Sequence, residues 1–416
     1  MPLLVPGAGE PVDSLCMATA DDRCAFRPAR FPRRALGAND ILIDMKFVGV
    51  CHTDVHVAAG HAEALMGRKY PCVPGHELAG VCVAVGAAVT RVRVGEAVGV
   101  GCMVDSCGRC GACRRGEEQW CMSNTTTYNG KPGARSAVGP GAPAHTLGGY
   151  TNAFVVDERF AVRIPAGYPL EAAGPIQCAG VTVFDPLRRH GAGPGTRLGV
   201  VGIGGLGTMA IKLGKALGCV VTAITRSPSK AAYAVDRAGA DASLISSDAA
   251  AMAAAAKSLD LILDTAPDAH DLSPYLALLA PGRTAAGRVR RLVVLGLTAD
   301  LVASMVVGSL TCGTSRVVGG NIGSVECTQA VIDLCAAKNI VPELKVVPVE
   351  ALSDVYTALA AGNDTGVRYV LDLSTLDAGA EERCRGVAPP NLGAPPRPVS
   401  TCSIVSAIFR LLCCRR

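Results

Sequence analysis

Four thiols stand in the run Cys107-Gly-Arg-Cys110-Gly-Ala-Cys113, followed after seven residues by Cys121, so one short excursion of chain can bring all four to a single centre. Two-residue gaps strain a disulfide between neighbouring cysteines. They suit zinc, which takes four thiolates at about 2.3 Å and, so closed, crosslinks the chain without catalysing anything. A disulfide cluster or simply buried cysteines are the alternatives. A closed structural loop directs attention to a second ligand set with one position left open.

Cys51, His76 and Cys178 supply that set, with Glu77 directly after the histidine. Two cysteines and one histidine leave the fourth position of zinc for water or a substrate oxygen, which the ion polarises as a Lewis acid. Each residue alone reads equally as a hydrogen-bonded core side chain. Context favours the metal: Cys51 opens Cys51-His-Thr-Asp-Val-His56, and His76 lies in Pro74-Gly-His-Glu-Leu-Ala-Gly80, whose glycines let backbone crowd an ion. Thr53, two residues past Cys51, can hydrogen-bond an oxygen at the metal; its plainer reading is a helix N-cap. Asp54 looks like the carboxylate that orients His76 through its other ring nitrogen.

Such groups need rigid elements to hold them, and one is readable beside a candidate coenzyme site. Leu198 to Ile203 reads as a buried strand, Gly202, Gly204 and Gly207 as a turn also carrying Gly205 and Leu206, and Leu206 to Leu217 as a helix ending at Gly218. A second strand comes at Cys219 to Thr225. In such a unit the first glycine permits the tight turn, the second admits the pyrophosphate, and the third lets helix and strand pack closely. The helix N-terminus presents free amides to the phosphates. An NAD enzyme needs a carboxylate about 20 residues on to accept the ribose hydroxyls. The chain instead reads Thr225-Arg-Ser-Pro-Ser-Lys230 there, where Thr225, Arg226, Ser227 and Lys230 would attract a 2′-phosphate. The coenzyme expected is NADP(H), the alternative being a solvated turn capped by Ser227.

In chain order, Gly49-Val-Cys-His-Thr-Asp54, Pro74-Gly-His-Glu77, the loop ending Glu118-Gln-Trp-Cys121, Gly148-Gly-Tyr150, Gln177-Cys-Ala-Gly-Val-Thr-Val183, the Gly202–Gly207 turn and Gly319-Gly-Asn-Ile-Gly323 carry a resemblance. The chain resembles the zinc-dependent medium-chain alcohol dehydrogenases, most closely their cinnamyl alcohol dehydrogenase-like branch. The match runs from about residue 40 to 373. The resemblance implies a mixed α/β fold: a GroES-like, partly open β-barrel catalytic domain over 1–178, completed by 321–373, around a Rossmann NADP-binding domain over 179–320. It implies one catalytic and one structural Zn2+, NADP(H), and hydride transfer between NADPH and the carbonyl of aliphatic or aromatic aldehydes. It further implies that Thr53 passes a proton through the cofactor ribose to His56, an imidazole that titrates near neutrality. Glu77 would be a transient metal ligand, and Arg368, in Val367-Arg-Tyr369, would lie near the cofactor phosphates, a surface salt bridge being the alternative. A homodimer is implied as well. An NAD-dependent polyol or secondary-alcohol dehydrogenase of the same fold and a catalytically silent structural relative are the competing readings.

Composition agrees with a cytoplasmic enzyme. At 416 residues the chain can hold two cores. The net charge of +5, without a basic run interleaved with aromatics, offers no basis for nucleic-acid binding. Nineteen cysteines with metal spacing point to a reducing compartment. No signal peptide is readable. The apolar span Leu292 to Leu310 is interrupted by glycines and Asp300, so a buried strand and its turn are expected there and no transmembrane segment. Asp260 to Thr265 and Leu292 to Leu297 are expected as later sheet strands. Between them, Pro281 to Arg291 reads as an inserted surface loop that puts the adjacent sheet edge in doubt. Residues 374–416 form an extra tail whose first, proline-bearing part is expected to be disordered. Its end, Ser403 to Arg416, could form a short amphipathic helix with two acylatable cysteines; the alternative is an appendage with no anchoring role.

Overall fold

The computed structural model describes residues 3–392 except 4, 8, 62, 64–66, 268–269, 285–286, 297–315 and 363–365. Seventeen strands are present among them, beginning with a short antiparallel pair, β1 (Leu15–Ala18) and β2 (Arg27–Arg30). β3 (Asp40–Val50) is the axis of the first domain, succeeded by β4 (Leu78–Val85), β5 (Ala97–Val100), β6 (Met103–Asp105), β7 (Thr125–Thr126), β8 (Ala153–Asp157) and β9 (Ala161–Arg163). β10 (Arg197–Val201), β11 (Val220–Thr225), β12 (Ala242–Ile245), β13 (Leu261–Asp264), β14 (Arg291–Val294) and β15 (Arg316–Gly319) form the second sheet, and the chain returns to the first with β16 (Leu344–Pro348) and β17 (Arg368–Asp372).

The first sheet runs in the order β16-β17-β3-β4-β5-β9. One edge of β3 is shared by two partners: Asp40–Asp44 pair with β8 and Phe47–Val50 with β17, while β4 lines the other edge through two register shifts. Such irregularities bend a strand, and the sheet curls into the partly open barrel that the resemblance implies. Alternation explains the strand: Ile41, Ile43, Met45, Val48 and Val50 join one buried cluster with Val98, Phe154, Tyr356 and Leu371.

The second sheet is wholly parallel in the order β12-β11-β10-β13-β14-β15. Leu198, Val200, Val221, Ala223 and Leu263 pack on one face, and Val201, Ile224, Ile262 and Leu292 on the other, which is why these strands read as continuous apolar runs. Helix α1 (His52–Ala58) leaves the end of β3, and α2 (Val181–Arg189) links the domains. α3 (Gly205–Ala216) comes after β10, and α4 (Pro228–Asp236) after β11. α5 (Val325–Lys338) begins on a Ser324 cap, whose Oγ accepts from Cys327 N at 3.1 Å, and ends on Asn339 at φ 52°. α6 (Leu352–Ala360) and the short α7 (Ala380–Cys384) complete the helices named here.

The extra tail begins with ordered chain: α7 lies ahead of Pro389-Pro390, and Leu376, Ala380 and Cys384 are buried in the barrel core. Pro281–Arg291 is a surface loop as expected, its described residues mostly exposed, and Arg290 anchors its end, buried with its Nε donating to Asp260 Oδ1 at 2.9 Å. The adjacent β14 and β15 keep their pairing. The strand expected over Leu292–Leu297 is β14, ending at Val294. Residues 297–310 of the expected apolar span, and the helix expected over Ser403–Arg416, lie outside the described residues.

Candidate functional site

Cys51 closes β3 and caps α1, His76 sits in the loop entering β4, and Cys178 lies in a π-helical turn over Ile176–Gly180. One ligand atom from each, with one carboxylate oxygen of Glu77, falls within 4.8 Å of all the others, and all four residues are buried. Cys51 Sγ and Cys178 Sγ are 3.9 Å apart, and His76 Nε2 is 3.2 Å from Cys178 Sγ. A disulfide would need about 2.05 Å; a tetrahedron with 2.3 Å arms has edges of about 3.8 Å.

The donors also carry the right charge. The thiol of Cys178 holds Cys51 well below the usual thiol range, while hydrogen bonding with Cys102 and with Cys51 holds Cys178 well above it. Two sulfurs so close cannot both ionise unaided, which is the conflict a dication removes. Glu77 Oε2 is buried with no hydrogen-bond partner, a second donor awaiting an electrophile. The residues therefore fit zinc.

Asp54 fixes the histidine. Its Oδ1 lies 2.9 Å from His76 Nδ1 and accepts from Gly75 N at 3.2 Å, while Oδ2 accepts from Cys51 N at 2.9 Å and Tyr150 Oη at 3.2 Å. With four donors on one carboxylate, Nδ1 keeps the proton and Nε2 faces the sulfurs. Burial acts to lower His76, and the Asp54 charge outweighs it, raising the imidazole well above its ordinary value. Gly75 needs its positive φ of 102°, and a Cβ there would meet the Tyr150 ring at 2.7 Å. Tyr128 stacks on His76 with centroids 5.8 Å apart.

Thr53 Oγ1 lies 3.6 Å from Cys51 Sγ, beside the cluster. His56 is one turn further along α1 and half-buried, and burial lowers it to about 4, so the titration near neutrality expected of it from the sequence is corrected downward. Glu77 is paired with Arg368, whose Nη2 is 2.5 Å from Oε1. That guanidinium also lies under the nucleotide turn: a Cβ on Gly205 would meet Arg368 Cδ and Nη1 at 2.8 Å. The salt-bridge alternative for Arg368 thus holds for a buried pair, not a surface one.

Gly202, at φ 82°, opens the turn, Gly204 caps α3 in an extended conformation, and a Cβ on Gly207 would run into the Gly202 carbonyl oxygen. Leu206 is half-buried against the helix core. Thr265 Oγ1 donates to Val201 O at 2.9 Å and Gly202 O at 2.8 Å, fastening the turn. Thr225 ends β11 beside β10, so Thr225, Arg226, Ser227 and Lys230 lie on the same edge of the sheet as the turn. Ser227 accepts from Lys230 N at 3.4 Å and caps α4, so its capping reading holds; Arg226 is exposed.

The four-cysteine loop is folded for its ion. Cys107 Sγ and Cys113 Sγ are 3.9 Å apart, and Cys110 Sγ and Cys113 Sγ 3.6 Å, the edges of the same tetrahedron. Backbone amides point at the sulfurs, from Cys110 to Cys107 at 3.3 Å and from Cys107 and Ser123 to Cys121 at 3.5 and 3.4 Å. Backbone donors at Arg109 and Cys110 lower Cys107 to about 6, as a thiolate ligand requires.

Sequence reasoning missed Tyr150 as a partner of Asp54, Thr265 under the nucleotide turn, and Cys102 beside Cys178. Gly148-Gly-Tyr150 signals that the segment matters, but a tyrosine alone does not say which carboxylate it meets.

Known proteins are similar to this chain in sequence and fold. Residues 37–166 match the alcohol dehydrogenase GroES-like domain, and residues 205–337 the zinc-binding dehydrogenase domain. A probable cinnamyl alcohol dehydrogenase of Zea mays is 41% identical over 365 residues, 88% of this chain and 94% of that one. Cinnamyl alcohol dehydrogenase 2 of Oryza sativa subsp. japonica is 40% identical over 358 residues, covering 86% and 93%. Among solved structures, a cinnamyl alcohol dehydrogenase of Sorghum bicolor aligns with TM-score 0.78 and 38% identity, covering 87% of this chain and 98% of that one. The CAD of Helicobacter pylori complexed with NADP(H) aligns with TM-score 0.75 and 32% identity, covering 88% and 99%.

Proposed function

The chain belongs to the zinc-dependent alcohol dehydrogenase family, in its cinnamyl alcohol dehydrogenase-like branch, and from that premise we propose that it is an NADP(H)-dependent reductase of aliphatic and aromatic aldehydes, also able to oxidise the alcohols. The buried Cys51–His76–Cys178 cluster, with the Thr53 hydroxyl 3.6 Å from Cys51 Sγ, carries this reading.

Cys51, His76 and Cys178 would hold the catalytic ion, and Cys107, Cys110, Cys113 and Cys121 the structural one. When bound in the first site, zinc supplies a Lewis acid to the carbonyl as hydride arrives from the nicotinamide. Asp54 keeps Nδ1 of His76 protonated, so Nε2 stays available as a donor throughout. The Thr53 hydroxyl, able to donate and accept at once, hands a proton to the developing alkoxide, and His56 recharges it from the solvent side. Burial lowers His56 to about 4, so its imidazole is neutral near pH 7 and passes the proton of alcohol oxidation on to solvent instead of keeping it. Arg368 pairs with Oε1 of Glu77, leaving Oε2 beside the ligand atoms, and packs against Gly205 of the 202–207 turn, where it can meet a coenzyme phosphate. Amides at the start of α3 serve the pyrophosphate, and Arg226 with Lys230 the 2′-phosphate.

Ligands for the ion come from the barrel and from the turn that leads into the Rossmann sheet, which suits a cleft that closes on its substrate. Fifteen free cysteines among the described residues fit a reducing, cytoplasmic setting, and no helix among those residues is long and apolar enough to cross a membrane. Pairing of two chains through the Rossmann sheet edge at β15 is proposed on family grounds.

Initial rates on cinnamaldehyde and on aliphatic aldehydes of graded length, with NADPH and NADH in parallel, test the reading. Turnover with a kcat/KM preference for NADPH is expected. A preference for NADH overturns the coenzyme assignment, and no turnover on any aldehyde overturns the activity.

A further inference from the structure

β10 and β13 lie side by side in the middle of the second sheet, and chain order runs outward from them in both directions, through β11 and β12 on one side and β14 and β15 on the other. The carboxyl ends of two such strands flank the crevice where an open α/β sheet takes its ligand. β10 ends there in the 202–207 turn. β13 ends in Asp264, the register partner of Val201, and this residue is almost wholly buried. Asp264 ties down the segment beyond it. Its Oδ1 accepts from Ala266 N at 3.2 Å, its carbonyl accepts from Leu295 N and Gly296 N at 2.8 and 3.2 Å, and its Oδ2 lies 3.0 Å from His270 Nε2. The imidazole packs edge-on against Tyr275, with ring centroids 5.4 Å apart. Thr265 and Ala266, bent back in this way, are the wall against which the glycine turn stands: a Cβ on Gly202 would meet Ala266 N at 3.0 Å and Thr265 Oγ1 at 3.2 Å.

We propose that His270 is a positioning residue for the coenzyme: by engaging Asp264 Oδ2 it leaves Oδ1 to Ala266 N, and so holds Thr265 and Ala266 where they fix the 202–207 turn for the pyrophosphate. This deepens the NADP(H) reading and rests on it. Burial pushes the Asp264 carboxyl up and His270 opposes that push, so the imidazole is what makes a carboxylate tolerable at this depth. Without it, one buried oxygen of Asp264 has no donor, a state that costs the full desolvation of the group. The carboxylate then gains by turning toward water, which releases Ala266 N and with it the wall behind Gly202. His270 belongs to neither metal cluster. Its loss therefore weakens coenzyme binding and leaves the metal centres and the hydride step alone.

The test titrates the full, zinc-loaded chain with NADPH, following the fluorescence of the reduced nicotinamide, beside steady-state rates and zinc content. His270→Leu and His270→Asn remove the Nε2 donor, one leaving an apolar side chain and the other a polar one, and His270→Gln puts an amide nitrogen near its place. Both removals are expected to raise the Kd and the KM for NADPH about tenfold, the worth of one hydrogen bond to a charged group, with His270→Gln within about threefold of the parent. The kcat at saturating NADPH and the zinc content should not fall, whereas a merely structural role would lower the active fraction and leave KM where it was. An unchanged Kd in both removals, or a His270→Gln chain that binds as weakly as they do, overturns the positioning role and leaves the coenzyme reading standing. A parent chain that does not bind NADPH overturns the coenzyme reading and this inference with it.

Discussion

Arg368 Nη2 lies 2.5 Å from Glu77 Oε1 across 291 residues of sequence, and both side chains are buried, one on the last barrel strand and the other directly after a metal ligand. The pair joins the nucleotide turn to the catalytic cluster. Removing one partner of such a pair leaves an uncompensated buried charge, which costs about 3–5 kcal/mol, whereas removing both costs far less. Arg368→Met should therefore lower the unfolding free energy by several kcal/mol in urea titrations, and Arg368→Met with Glu77→Gln should recover most of it. A double variant no more stable than the single one would show that the ion pair is not the cause.

Metal content separates the two cysteine sites. Cys178→Ser should leave one zinc per chain by elemental analysis, keep the melting temperature near that of the parent, and reduce kcat at least about 100-fold, since the Lewis acid supplies several kcal/mol. Cys113→Ser should also leave one zinc, but with a clear loss of stability, because the crosslink of the 107–121 loop is gone. Equal melting curves for the two variants would contradict this division of roles.

Gly207 has a backbone reason to be glycine. Its Cβ would strike the Gly202 carbonyl, which cannot rotate away as a flexible side chain can. Gly207→Ala should raise the KM for NADPH by tenfold or more while both zincs remain, as measured by coenzyme titration and elemental analysis. An unchanged KM would place the coenzyme elsewhere.

His190, just after α2, is lowered to about 4 by burial and by the nearby charges of Arg291 and Arg189. Its folded value lies below the unfolded value of about 6.5, so the unfolded chain binds the extra proton between them. The stability it confers is present above about pH 6.5 and is lost as pH falls toward 4. His190→Gln should therefore flatten the decline of unfolding free energy over that window and change little at pH 7, in urea titrations at stepped pH. Parallel curves for variant and parent would show that His190 does not titrate there.

Much of the site was legible because short-range geometry dictates it. A metal loop closes within fifteen residues, Cys107 to Cys121, and its spacing alone calls for four thiolates. The 202–207 turn is equally local: strand, glycines and helix stand side by side in the chain and in space. α7 was not legible, since five residues of weak helical pattern gain their order from burying Ala380 and Cys384 against a core built elsewhere.

The sequence by itself determined which atoms can bind zinc, which turn can hold a pyrophosphate, and the absence of a ribose carboxylate at the end of β11, because these depend on residue type and near-neighbour spacing. Only the tertiary structure decided that Tyr150 and Gly75 share Asp54 with His76 and that Arg368 answers Glu77. Those contacts join segments, or side-chain directions, that local spacing does not relate. They exist because the curl of β3 and the return of β17 bring distant chain to one buried point, where a polar group left without a partner is costly.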